Sequence, residues 1–151
     1  MIKLDDSKIY AVANITGDIS APDLKAVAYF KPFKEGTMVE IEASGLPGNK
    51  TYLLYPIHIH DGLNCNISKS GSFDNVGTHY NPTFQNHPYH AGDMPVLFSN
   101  NGYAYMKFYT SRFKVFDIKD KLVIIHEQIE NENSTSFGRK IGCGKIVEYN
   151  Y

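Results

Sequence analysis

The sequence predicts an all-β protein, an antiparallel sandwich or barrel, on three observations. Segments of strict two-residue alternation recur along the chain, turn signals separate them, and no segment keeps a helical period beyond a turn or two. At 151 residues the chain fits one domain, residues 1–151, large enough to bury a substantial core.

The strands follow in order. Residues 9–15 and 26–31 are short runs rich in β-formers. Residues 38–44 alternate fully: Val39, Ile41 and Ala43 take one face, and Glu40, Glu42 and Ser44 the other. Residues 103–109 repeat the pattern, with Ala104, Met106 and Phe108 opposed by Tyr105 and Lys107. Residues 115–118, 122–126 and 145–149 read as further strands. Turn signals lie between them at Thr16-Gly17-Asp18, Lys34-Glu35-Gly36, Gly45-Leu46-Pro47-Gly48 and Asn100-Asn101-Gly102. Residues 61–96 break the rhythm. They are rich in Gly, Asn, Ser, Pro and His, and so long a loop in a compact domain points to function.

Bulk properties exclude several classes. A formal net charge of −1 gives no global attraction to nucleic acid or to an anionic membrane. No apolar run approaches the roughly 20 residues that span a bilayer. Residues 1–9 carry Lys3, Asp5, Asp6 and Lys8 without an apolar stretch, which is not a secretory signal. The expectation is a cytoplasmic protein, or a periplasmic or secreted one if a signal has been trimmed.

The six histidines fall into a pattern. His58 and His60 form H-x-H after Tyr55-Pro56-Ile57; on a strand, residues two apart share a face, so both imidazoles can grip one metal. His79, His87, His90 and Asp93 follow as H-x7-H-x2-H-x2-D, and three imidazoles with a carboxylate make an ordinary tetrahedral zinc set. His126 ends the apolar run Leu122-Val123-Ile124-Ile125, at a rigid strand end. A lone histidine is usually a surface or satisfied core residue, and an isolated H-x-H arises readily by chance. All six histidines entering one pattern is more specific than either part.

These residues, with their neighbours, carry a resemblance. His58-Ile59-His60, Gly77-Thr78-His79-Tyr80-Asn81-Pro82, His90-Ala91-Gly92-Asp93-Met94-Pro95, Val123-Ile124-Ile125-His126-Glu127 and Gly142-Cys143-Gly144 occur in the order of the copper,zinc superoxide dismutase family. The chain resembles that family over residues 9–149, and the close spacing of Cys65 after His60 resembles its bacterial branch. The resemblance implies an eight-stranded Greek-key β-sandwich or barrel with a long metal-binding loop, an architecture known for this enzyme. It implies copper held by His58, His60, His79 and His126, and zinc held by His79, His87, His90 and Asp93, with His79 bridging. Imidazoles suit Cu(II), and adding a carboxylate suits Zn(II). The implied activity is conversion of superoxide to O₂ and H₂O₂ by Cu(II)/Cu(I) cycling, with zinc orienting His79 and ordering the loop. The resemblance also implies a Cys65–Cys143 disulfide, against the alternative of two buried thiols, and it leaves a homodimer possible.

The sequence departs from the family in places. Where the family has an arginine three residues before the second cysteine, lining the copper channel, this chain has Lys140, preceded by Arg139. Lysine supplies charge without the planar fork. Lys140 fits the spacing without a gap, whereas Arg139 needs a shift of one residue. The segment between His126 and Cys143 is shorter than the family's charged loop and holds Glu127, Glu130 and Glu132. It predicts a slower enzyme, less sensitive to salt. Glu130 lies where the family often has an aspartate linking the two metal sites, and Pro56-Ile57 replaces a glycine and an aromatic. The competing reading is a metal-binding or metal-buffering module on the same scaffold with little turnover.

Overall fold

A computed structural model describes residues 10–48, 52–129 and 138–149. Glu130 and Glu132 lie outside these residues.

Three strands open the chain as a meander: β1 (Ala11–Gly17), β2 (Lys25–Phe33) and β3 (Gly36–Ser44). Their even alternation places Ala26, Ala28, Phe30, Val39, Ile41 and Ala43 in the core. Next come β4 (Tyr52–Tyr55) and β5 (Ile57–His60), separated only by Pro56, and then the long loop. After it, β6 (Leu97–Asn100) and β7 (Tyr103–Thr110) form a hairpin. Asn101 and Gly102 both have positive φ, 50° and 81°, the conformation that a two-residue hairpin turn requires at both positions. A single helical turn, α1 (Val115–Ile118), precedes β8 (Leu122–His126) and β9 (Lys140–Glu148).

Hydrogen bonding orders the strands β4-β6-β7-β3-β2-β1-β9-β8-β5. The two ends of that order, β4 and β5, are adjacent in the chain. Residues 52–55 pair with β6 and, after Pro56, residues 57–60 pair with β8. Proline has no N–H to give to a ladder, so the chain changes partners there. His126 N donates to Pro56 O at 2.9 Å and Ile129 N to Leu54 O at 2.9 Å, so the seam is drawn together. The result is a nearly closed antiparallel Greek-key barrel of nine strands among the described residues. Reading residues 52–60 as one bent strand gives the expected eight.

Residues 115–118 are a correction: the expected strand is a helical turn. Val115 and Ile118 lie three apart, which on a helix is one face, and both pack on the core while Phe116 is 87% exposed. Asp117 fixes the turn, its carboxylate accepting from Lys114 N at 2.9 Å. Two further differences concern extent. The last strand begins five residues before the expected Lys145, because Gly142 and Gly144 contribute no side chain to a period. Strand β6 lies at the end of the long loop, too short at four residues to show alternation.

The barrel interior holds one cluster, including Ile57, Ile59, Val123 and Ile125 from the inward faces of β5 and β8. The opposite faces of these strands are covered too. Leu122 and Ile124 pack with Phe73 and Val76 of the loop and with Cys143, and Cys65 lies against them. The Cys65–Cys143 disulfide staples this small second core, with Cα atoms 5.6 Å apart across a sequence separation of 78. No helix among the described residues is long and apolar enough to cross a membrane.

Candidate metal centre

Strand β5 is buried on both faces, because the loop lies over its outer side. Alternation sends Ile57 and Ile59 inward and His58 and His60 outward, beneath the loop. The free edge of β5 is then matched by loop backbone. Ile59 N donates to Gly92 O at 2.9 Å, Tyr80 N to Ile59 O at 2.7 Å, and Gly92 N to Tyr80 O at 2.9 Å. These bonds set His79 across from His60 and Asp93 across from His58. Gly92 permits the approach: a Cβ there would lie 2.5 Å from Ile59 O. His126 comes from β8, next to β5 in the sheet, and alternation puts it on the same outer face as Leu122 and Ile124.

All seven predicted side chains converge. Donor atoms of His58, His60, His79 and His126 lie within 4.8 Å of one another, as do those of His58, His79, His87 and Asp93. Thus His79 belongs to both groups, and so does His58. His90 joins through Asp93, its Nδ1 3.2 Å from Asp93 Oδ2 and 3.1 Å from His79 Nδ1. Asp93 organises the loop half: Oδ1 is 2.8 Å from His79 Nδ1, Oδ2 is 3.2 Å from His87 Nδ1, and Oδ2 accepts from His90 N at 3.0 Å.

On the strand side, backbone carbonyls choose the tautomers. His60 Nδ1 is 3.2 Å from Gly77 O, and His126 Nδ1 is 3.3 Å from Gly138 O. A carbonyl only accepts, so in each ring Nδ1 carries the proton and Nε2 keeps its lone pair. His60 Nε2 is buried without a hydrogen-bond partner among the described residues. A bare lone pair beside three other imidazoles fits a metal ion, and no ordinary core role explains it.

Exposure and protonation divide the site. His58, His60 and His126 are 2%, 2% and 3% exposed, whereas the side chains of His79, His87 and His90 are 15%, 27% and 19% exposed. Burial first, and then neighbouring histidines, hold His58 below the ordinary imidazole range. Burial with His79 and His126 pushes His60 down to about 3, despite the Gly77 carbonyl. Burial lowers His126 to about 4 against the pull of Gly138 O, with His79 and Lys140 adding to the drop. His87 is lowered mainly by burial, with Asp93 opposing. Burial opposes ionisation of Asp93, but the hydrogen bond and charge of His79, with His87 and His90, hold its carboxyl below the usual value. Neutral imidazoles and an ionised carboxylate are the forms that bind metal.

The two basic residues separate. Arg139 Nε donates to the buried Asp18 Oδ2 at 2.6 Å and Nη2 donates to Gly71 O at 3.0 Å, an anchor between β1, the loop and β9. Ser20 N and Oγ donate to the other oxygen of Asp18 at 2.8 and 2.6 Å. Lys140 is half-buried opposite His126 in the β8–β9 pair, and its charge is felt at His60 and His126. Sequence reasoning missed the Asp18–Arg139–Gly71 anchor. The turn at Thr16-Gly17-Asp18 marks its place, but nothing local links it to residues more than 50 positions away.

Residues 24–146 match the family model described as copper/zinc superoxide dismutase (SODC). The chain belongs to that family. A solved structure of similar fold is a double mutant, tyrosine and proline each replaced by histidine, of a SOD-like protein from Bacillus subtilis. It is 20% identical, with a TM-score of 0.70, over 90% of this chain and 96% of that one. No curated protein matches the chain. Family membership and the structure agree with the fold and disulfide that the resemblance implies, and the His/Asp donor groups are able to hold metal.

Proposed function

We propose that this chain is a superoxide dismutase, converting two superoxide anions and two protons to O₂ and H₂O₂. The observation that carries the reading is the presence of His79 in both donor groups. In this reading His58, His60, His79 and His126 hold copper, and His79, His87, His90 and Asp93 hold zinc. Bound copper supplies the one-electron relay between the two superoxide anions, and bound zinc supplies a fixed, redox-inert charge.

The chain's residues supply the rest. Asp93 and His90 meet His79 at Nδ1, and in this reading the other ring nitrogen, Nε2, holds and delivers a proton to the reduced oxygen species. Gly77 O and Gly138 O keep His60 and His126 in the tautomer with the proton on Nδ1 and a lone pair on Nε2. Lys140 draws the anion toward the copper side, while Arg139 holds the strand that carries Lys140.

The test is dismutation per bound copper by copper- and zinc-loaded protein, beside a zinc-only sample. Copper-dependent turnover supports the enzyme. Full copper occupancy with turnover at the level of free solution supports the second reading, a metal-holding module. The observation favouring that rival is the near-complete burial of His58, His60 and His126.

A further inference from the structure

A cleft of about 620 Å³ lies between the metal loop and the end of β7. It reaches the histidine cluster at the buried His58 and Asp93 and the partly exposed His87. Its volume falls within the range of pockets that hold small organic molecules and far exceeds what a diatomic anion needs. One wall is apolar, formed by Phe108, Met94, Val96 and Ile129. Prolines 56, 88 and 95 contribute a rim with little conformational freedom to lose.

The polar end is built around Arg112. Its Nη1 donates to Pro88 O at 2.8 Å and to His90 O at 3.4 Å, which pins the guanidinium against the loop. Among the described residues no acceptor meets Nε or Nη2, so two edges of the fork stay open to a ligand. Beside it, Thr110 Oγ1 accepts from Arg112 N at 3.2 Å, which leaves the hydroxyl proton to donate. Among the described residues Arg112 is the only cation lining the cleft, and Asp93, the only acid, is engaged by His79, His87 and His90.

We infer that this cleft binds a small organic carboxylate. The carboxylate takes the open donors of Arg112 with the hydroxyl of Thr110, and the hydrocarbon body lies on Phe108, Met94 and Val96. A pinned, planar guanidinium is the side chain best matched to a carboxylate's two oxygens, and the apolar wall selects against inorganic phosphate. The inference is independent of turnover, because its ligand binds beside the metal residues and undergoes no chemistry.

The experiment titrates benzoate, and inorganic phosphate separately, into full-length zinc-loaded protein, by calorimetry and by methyl NMR. Saturable benzoate binding that shifts the methyls of Met94, Val96 and Thr110 is the expected result, with phosphate weaker. Arg112→Gln weakens benzoate by about tenfold or more, the loss typical of a charge-assisted pair. Arg112→Lys, which retains a donor for the loop carbonyls, also weakens it, and Val96→Phe, which fills the cleft, abolishes it. Lys140→Gln leaves the affinity within about twofold, because Lys140 does not line the cleft. Absence of saturable benzoate binding overturns the inference. So do shifts centred on residues 138–140, or an affinity indifferent to Val96→Phe. None of these outcomes bears on dismutation, which is measured with copper.

Discussion

His58, His60 and His126 ride on paired barrel strands and are buried, whereas His79, His87 and His90 ride on a loop and are half-buried. The strand set is aligned by ladders that exist for the fold's own sake. The loop set depends on added devices: two backbone bonds to the edge of β5 and one across the loop, the Asp93 carboxylate, a small apolar cluster, a disulfide and the Arg139 anchor. A barrel strand can place two donors on one face but cannot bring a third and fourth round to meet them. A loop can, provided something else orders it. The comparison therefore predicts a rigid strand half and a loop half that gives way first.

His79 joins the halves, so its removal is the largest expected effect. His79→Ala takes a donor from both groups, and copper-dependent turnover should fall to background while the strand histidines still retain some copper. Metal content after dialysis, read beside activity, checks this. Equal retention of both metals with normal turnover would break the comparison at its root. Next in size is the disulfide. Cys65→Ser opens a link spanning 78 positions, which on the chain-entropy model costs about 4.5 kcal/mol. Urea unfolding should show that loss, and zinc affinity should fall further than copper affinity. Equal losses would mean that the disulfide supports the barrel rather than the loop.

The same division explains what could be read in the sequence. Alternation marks β3 and β7 because each has one wet face, and the H-x-H marks β5 because metal ligands share a face there as core residues would. The loop donors are visible as residue types at metal-site spacing, although nothing in residues 61–96 shows the path that brings His79 beside His60. Strand β4 is obscured by its length and by its change of partner at Pro56. Residues 115–118 mislead because Val-Phe-Asp-Ile is rich in β-formers, while the Asp117 carboxylate and the core position of Ile118 make it helical. Between Arg139 and Lys140 the sequence offers only the spacing, which suits Lys140 without a gap; the anchoring of Arg139 is not visible. It turns on Asp18, 121 positions away in sequence, and on the carbonyl of Gly71.

Asp18→Asn sharpens the comparison at intermediate size. Asp18 is buried and accepts from Arg139 and Ser20. Burial pushes its carboxyl up, but the Ser20 and Arg139 hydrogen bonds and the Arg139 charge together hold it below the ordinary value. Replacing the charge should cost about 1.5–3 kcal/mol at neutral pH, the range for hydrogen bonds to a charged group. The sign with pH follows from the depressed value. The carboxylate's contribution is fully present above the unfolded carboxylate value of about 4 and is lost as pH falls through the lower folded value. Wild type and variant should therefore converge in stability in acid, as paired denaturant titrations would show. A gap that stays constant down to acid pH would mean the anchor acts through packing and not through charge.

The smallest expected effect concerns the approach of the anion to the strand half. Lys140 sits opposite His126, near enough for its charge to depress both His60 and His126. An ammonium there raises the local concentration of a small anion without forming the fork that a guanidinium would. Lys140→Gln should lower the second-order rate of dismutation severalfold and flatten its dependence on ionic strength, and Lys140→Arg should restore or exceed the original rate. The copper-bound spectrum should stay unchanged in both variants, since Lys140 is outside both donor groups. A rate that keeps its full salt dependence in Lys140→Gln would place the guiding charge elsewhere. The anion would then reach the histidines from the loop half, where the side chains are already open to solvent.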